Sequence, residues 1–244
     1  MGFLDIKKIK IQLAEGVSLL QAVQRLRYDV YVKEFGYLSV ARHSTDRLAD
    51  DFDGSGLHFV ATRGEELLGA IRMLLHSEKG FPLLSVMPTF KLSSLPKNTA
   101  EISHLVIAQS FRRRREDGLF GIESYIKLRD GGILPNSGKV LSSARKRRGP
   151  LLTLALFRLL FQMSKRLRLE SWLMLLDRKL HVGLDLYGIP FRQIADPQGA
   201  FDGLRPCILL LEELESRMPK LHPDLWKEFN KRLEPEYRRK IVVP

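Results

Sequence analysis

Thr99-Ala100-Glu101-Ile102-Ser103-His104-Leu105-Val106-Ile107-Ala108 is the stretch around which the fold is built. Its β-branched residues and alternating pattern predict a strand. Regular alternation sets Glu101, Ser103 and Leu105 on one face and Ile102, His104 and Val106 on the other. Upstream, Leu57–Arg63 and Leu67–Leu75 read as two strands joined by a hairpin turn at Gly64-Glu65-Glu66. Downstream, a helix from Gly149-Pro150 to about Leu169 precedes a short apolar strand, Ser171–Leu176. A helix Arg178–Tyr187 ended by Gly188, a strand Phe191–Ala195 and a buried strand Leu204–Leu211 follow, then a polar helix and tail. At the other end, Ser18-Leu19-Leu20-Gln21 has the form of a capping box, and its apolar spacing predicts a helix to about Tyr31. Asp46–Gly56 and Pro82–Pro96 read as irregular segments. A meander combined with a βαβ unit predicts an α/β (α+β) domain with a mixed sheet flanked by helices, not a parallel sheet or a sandwich.

The remaining composition narrows the class. The 244 residues are 44% hydrophobic and 28% charged, enough for a proper core, and residues 1–215 read as a single domain with 216–244 as a C-terminal helix and tail. Forty Lys and Arg against 28 Asp and Glu give a net charge of +12, which calls for an anionic partner: nucleic acid, a membrane surface or an acidic protein. The single cysteine, Cys207, sits in an apolar run and suits a reducing cytoplasm. The N-terminus lacks signal-peptide layout, and Leu151–Met163 is shorter than the roughly 20 residues of a membrane span. A cytoplasmic protein is expected, with peripheral contact at the inner membrane through Leu221–Trp226 and the basic tail weighed against an exposed helix of mixed charge. No Cys/His cluster suggests a metal, and no Gly-x-Ser-x-Gly elbow suggests a serine hydrolase.

Five short motifs occur in order: Arg27-Tyr28-Asp29-Val30-Tyr31, Glu34-Phe35-Gly36-Tyr37, Asp50-Asp51-Phe52-Asp53, Gly69-Ala70-Ile71-Arg72 and Glu101-Ile102-Ser103-His104-Leu105. Together they resemble the acyltransferase branch that contains autoinducer (acyl-homoserine lactone) synthases and N-acyl amino acid synthases. With Leu186–Phe191 and Arg205-Pro206, they are most similar to acyltransferases associated with the PEP-CTERM/exosortase system. The resemblance covers about residues 20–215. It implies the acetyltransferase-like (GNAT) fold, a mostly antiparallel sheet splayed at the acyl-donor site. It also implies N-acyl transfer of a long-chain fatty acyl group to the amine of an amino acid or similar small molecule. The donor implied is an acyl carrier protein with its phosphopantetheine, or acyl-CoA as cosubstrate, with no permanently bound cofactor.

Acyl transfer from a thioester needs a deprotonated amine, a donor to the developing oxyanion and a proton for the leaving thiolate. Glu101 is the first candidate to deprotonate the amine, directly or through a water; a Glu near an exposed strand end is the structural alternative. Ser103 and His104 complete the catalytic candidates. Family members usually carry Arg where this chain has His104, so acceptor specificity does not carry over; a neutral His could act as a base or simply pack. Arg72 interrupts an apolar strand and calls for a buried partner, with Asp50, Asp53 and Glu101 in reach. Arg27, Asp50, Asp53 and Arg72 are expected in one network that either lines the acceptor pocket or only braces the fold. Tyr31, Phe35 and Tyr37 are expected to wall it.

Leu105, Val106 and Ile107 are expected beside the donor. Two basic clusters, Arg112-Arg113-Arg114-Arg115 and Arg145–Arg148 with Arg147 and Arg148 at its end, flank the donor side with no Gly-rich pyrophosphate loop, which favours a carrier protein over free coenzyme A. Leu152, Leu156, Phe157 and Leu160 are candidates for an acyl-chain tunnel, with core packing as the alternative. Two rival functions are carried: an acyl-homoserine lactone synthase, and a non-enzymatic basic protein that binds nucleic acid. The second lacks the interleaved aromatics and motifs of such proteins.

Overall fold

The structure, a computed structural model, describes residues 4–6, 8–36, 45–88, 90, 92–112, 148–196 and 203–238, apart from the side chains of Leu92 and Arg148. Tyr37, Arg113, Arg114, Arg115 and Arg147 lie outside the described residues.

Strands β1 (Lys10–Leu13), β2 (Leu57–Arg63), β3 (Glu66–Leu75), β4 (Thr99–Ile107), β5 (Ser171–Asp177), β6 (Arg192–Gln193) and β7 (Leu204–Leu210) form one seven-stranded sheet. Its order is β1-β2-β3-β4-β5-β7-β6, and every pairing is antiparallel except β4 with β5. The parallel step requires a crossover, which helix α2 (Arg148–Arg166) supplies. The mixed sheet expected from the element order is therefore present, and it is mostly antiparallel and GNAT-like, as the family resemblance implies. The edge strand β1 is an addition: four part-exposed residues with too short an apolar pattern to stand out.

Helix α1 spans Val17–Arg27 and continues as a π-helical segment, Tyr28–Glu34. The capping box proposed at Ser18 is corrected. The cap is Gly16 at φ 83°, no side chain caps the helix, and Ser18 lies inside the first turn. Glycine enters from that backbone region without a Cβ penalty, so the helix starts before the serine. At the other end of the chain, α3 (Arg178–Leu186) is capped by Asp177, whose carboxylate accepts from Leu180 N at 2.7 Å. Gly188 at φ 77° ends the following turn.

The principal core lies between the sheet and α2, where Leu152, Leu154, Ala155, Leu156, Phe157, Leu160 and Phe161 are fully buried. Two C-terminal helices, α4 (Leu211–Leu221) and α5 (Pro223–Asn230), close its far side. Phe161 meets Trp226 and Phe229 at ring separations of 5.5 and 5.8 Å. Gln162 Nε2 donates to the carbonyls of Phe229 and Lys231 at 2.9 and 2.7 Å. The exposed mixed-charge helix expected here is thus corrected: Leu225, Trp226 and Phe229 share one buried face, with Glu228 buried beside them and 3.6 Å from Arg158. No helix among the described residues is long and apolar enough to cross a membrane.

A smaller apolar cluster lies apart from this core. Phe81, Leu83, Val86 and Met87, from and around the 3₁₀ turn Pro82–Val86, pack on Leu74, Leu173 and Ile208. That turn covers the position where Glu101 stands.

Candidate active site at the parting of the central strands

Strands β4 and β5 pair only from Thr99↔Ser171 to Ile102↔Met174. Beyond Ile102, β4 continues beside β3 as far as Gly69↔Ile107, and β5 continues beside β7 as far as Asp177↔Leu204. The two central strands therefore part into a V. At the fork, three residues of β3 (Ala70 to Arg72) face four of β4 (Ser103 to Val106), which is a β-bulge. His104 takes up the extra length at φ 53°. That left-handed conformation costs an L-residue about 1–2 kcal/mol, although His adopts it more readily than most.

The bulge overturns the regular alternation expected for this strand. His104 Nε2 donates to Asp50 Oδ2 at 3.0 Å, while Ser103 Oγ accepts from Arg72 Nε at 3.1 Å. Both residues thus join the same network, and His104 is not set on the opposite face. His58, Arg72 and Ser103 stand in register across β2, β3 and β4. Arg72 Nη1 donates to Asp50 Oδ1 at 2.6 Å and to Asp53 Oδ1 at 2.9 Å. From α1, Arg27 Nη1 donates to Asp53 Oδ1 at 2.6 Å, Arg27 Nη2 to His58 Nδ1 at 3.1 Å, and Gln24 Nε2 to Asp53 Oδ2 at 3.1 Å. His58 Nε2 in turn donates to the Asp53 carbonyl at 3.0 Å. Because an arginine can only donate, His58 is the neutral tautomer with its proton on Nε2; burial also pushes its pKa down.

Arg27, Arg72 and Asp53 are 1%, 1% and 4% exposed, so this is a sealed ion cluster. Burial alone would raise the carboxylates. The hydrogen bonds from His104 and Arg72 instead hold Asp50 well below its ordinary value, and Arg27 does the same for Asp53. Asp50 and His104 form the edge of the cluster that water reaches, with side chains 34% and 24% exposed. Burial, followed by the nearby Arg27 and Arg72, lowers the His104 imidazole and outweighs the pull of Asp50, so the ring is neutral near pH 7.

Glu101 lies two residues before Ser103 on β4, 3% exposed beneath the Pro82–Val86 turn. Its Oε2 accepts from Leu83 N at 2.8 Å. Burial pushes its carboxyl up to about 7, against the opposing influence of the Leu83 amide and Arg72. Its strand-end alternative does not apply, because it is enclosed. A carboxyl poised near neutrality can take and return a proton at working pH.

Tyr31 closes another side: its hydroxyl donates to the Leu105 carbonyl at 2.7 Å, and its ring lies 6.3 Å from that of His104. Phe35 packs on the core edge beneath Arg112, whose guanidinium lies 5.2 Å from the Phe35 ring. Leu105, Val106 and Ile107 line the diverging arm of β4 as buried residues. Arg112 is not a surface group. It donates from Nε to the Ile107 carbonyl at 3.0 Å and forms an ion pair with Glu34, so the one cluster arginine described in full is spent inside. Leu152, Leu156, Phe157 and Leu160 are packed into the principal core. Sequence reasoning missed His58, Gln24 and Glu34. The spacing Gln24, Arg27, Tyr31 places three polar groups on one helix face, a signal that could have found Gln24. No group of metal ligands occurs among the described residues.

Residues 26–120 match the acetyltransferase (GNAT) domain model. Among curated protein sequences none matches the chain. Solved structures share its fold. An N-acyl amino acid synthase, FeeM, from uncultured soil microbes is 16% identical, with a TM-score of 0.56 over 86% of this chain and 94% of that one. The acyl-homoserine lactone synthase LasI is 14% identical, with a TM-score of 0.56 over 88% and 95%. A CoA-dependent acyl-homoserine lactone synthase, BjaI, solved with SAM and isopentyl-CoA, is 14% identical, with a TM-score of 0.58 over 90% and 89%.

Proposed function

We propose that this chain, which carries a GNAT acetyltransferase domain and shares the fold of enzymes that acylate amines, is an N-acyltransferase moving a long-chain acyl group from a thioester to a small amine. One observation carries the reading: the central strands part at the His104 bulge, beside a buried carboxyl held near pH 7.

The thioester enters between the arms of the V. There β4 has no β5 partner over residues 103–107 among the described residues. The Leu105 and Ile107 carbonyls are already held by Tyr31 and Arg112, so an extended pantetheine arm would pair with the other peptide groups of that arm. The acceptor arrives as an ammonium and loses one proton to Glu101, directly or through a water. The free amine attacks the thioester carbonyl, forming the C–N bond. Peptide N–H groups along the bulged strand stabilise the resulting oxyanion. Collapse breaks the C–S bond, the amine's second proton goes to the thiolate, and Glu101 releases its own to solvent. The amide and a free thiol are the products.

The sealed cluster of Arg27, Arg72 and Asp53 holds the site's shape, and Asp50 with His104 faces the acceptor. Packed as they are, Leu152, Leu156, Phe157 and Leu160 serve the core, and the acyl tunnel expected of them has no part in this mechanism. The net charge of +12 favours an acidic carrier protein as donor. Acyl-CoA remains the second donor, because a structural neighbour is CoA-dependent.

The test is mass spectrometry of lipid extracts from bacteria expressing the protein or its Glu101→Gln variant, followed by thiol-release assays on the purified proteins. A new N-acylated amine is expected with the intact chain only, and the variant should lose on the order of 10²–10⁴-fold in turnover with donor binding intact. Undiminished turnover in the variant would remove Glu101 from the mechanism. An acyl-homoserine lactone appearing with methylthioadenosine would move the protein to the autoinducer synthases.

A further inference from the structure

The open side-chain valences at the fork belong to hydrogen-bond acceptors. His104 Nε2 carries the proton it donates to Asp50, so Nδ1 presents a lone pair, and Nδ1 has no partner among the described residues. Asp50 is an ionised carboxylate whose side chain is 34% exposed; its Oδ1 already holds Arg72 and the Phe52 amide, and its Oδ2 holds His104. Neither cation that touches this wall has charge to spare. Arg72 is committed to Asp50, Asp53 and Ser103, Arg27 to Asp53 and His58, and both are 1% exposed.

A ligand ammonium placed here would find a carboxylate and an imidazole lone pair. A ligand carboxylate would meet the like charge of Asp50 and a neutral ring. Losing its water there would go uncompensated, which disfavours it strongly.

On the acyltransfer reading above, we propose that Asp50 and His104 are the acceptor subsite, and that it selects amines with no carboxylate next to the nitrogen over free amino acids. Asp50 acts twice: as counter-charge to the incoming ammonium, and as the group that fixes the His104 tautomer so that Nδ1 accepts. The strained backbone at His104 is consistent with a position held for its side chain rather than for strand regularity.

The experiment pairs acceptors that differ only in the carboxylate: phenylalanine with phenethylamine, and leucine with 3-methylbutylamine. Each is assayed with the purified full chain and a long-chain acyl thioester. Wild-type kcat/KM should favour the carboxylate-free member at least tenfold. His104→Arg, which places a cation at the subsite, should move that ratio at least tenfold toward the amino acid. Asp50→Asn should raise KM for the amine more than it lowers kcat. Because either variant could fold poorly, a second measurement uses the wild type alone. With ¹⁵N-labelled histidine, phenethylamine should shift the His104 Nδ1 resonance at concentrations where phenylalanine does not.

Amino acids preferred by the wild type, an unchanged ratio in a folded His104→Arg protein, or equal shifts from both ligands would each overturn the assignment. No acylation of any acceptor by the wild type would instead overturn the acyltransfer reading itself.

Discussion

Glu101 links the chemistry of the site to the stability of the fold. Unfolded, its carboxyl ionises near the ordinary 4.5; folded, burial raises it to about 7. Between those values the folded state holds the extra proton, so stability falls as pH rises and levels off above about 7. The span corresponds to about 3 kcal/mol. Urea unfolding from about pH 5 to 7.5 should show a loss of that order in the wild type, and Glu101→Gln should remove most of it. Parallel profiles for the two proteins would show that this carboxyl ionises normally. Asp53 makes a second case at this scale. Two buried arginines share its Oδ1, at 2.6 and 2.9 Å, so Asp53→Ala should cost about 3–5 kcal/mol in denaturant unfolding. A cost below about 1 kcal/mol would mean that water replaces the carboxylate at no penalty. The demand for this partner was legible in the sequence, because Arg72 interrupts an apolar strand. His58 was not, since a histidine at an alternating strand position reads as an ordinary solvent-facing residue.

Strands and helices were legible wherever several apolar side chains repeat, to within one residue in β2, β3 and β4 and to within three at the end of α2. What escaped were events of a single residue. The bulge at His104 adds length to one strand without leaving a compositional mark, and it alone brings His104 to Asp50. The widened turn Tyr28–Glu34 keeps the polar spacing of an ordinary helix, so nothing in the pattern announces it. Strand β1 is too short to show a period. Close packing between elements yields its own test at Gly69 of β3. A Cβ there would stand 2.9 Å from Ile107 Cδ1, 3.0 Å from the Val106 carbonyl oxygen and 3.3 Å from Leu152 Cδ2 of α2. Gly69→Ala should therefore wedge β3 from both β4 and α2 and cost about 1–3 kcal/mol in thermal or urea unfolding. A variant as stable as the wild type would show that the three elements can separate there without strain.

Taken as one body, the chain hides apolar surface that average composition conceals. The C-terminal segment is polar in sum, yet Leu225, Trp226 and Phe229 dock on α2 and make the last helices part of the core. Net charge is the property that composition gives directly. With +12 overall, turnover on an acidic carrier-protein donor should fall several-fold between low and physiological salt, while turnover on an acyl-CoA should change less. Equal salt dependence for the two donors would argue that the surface charge plays no part in docking.

Among the described residues, the ion cluster and its partners, from Gln24 to the Leu105 carbonyl, all come from the chain before β4 ends; β5, β6, β7 and the four helices from α2 onward contribute none of them. On the acyltransfer reading proposed above, the half that recognises the acceptor is one stretch of chain, and the half that completes the cleft is another. Preference for an amine can be inherited, exchanged or grafted between related enzymes as a single block, leaving the other arm of the cleft untouched.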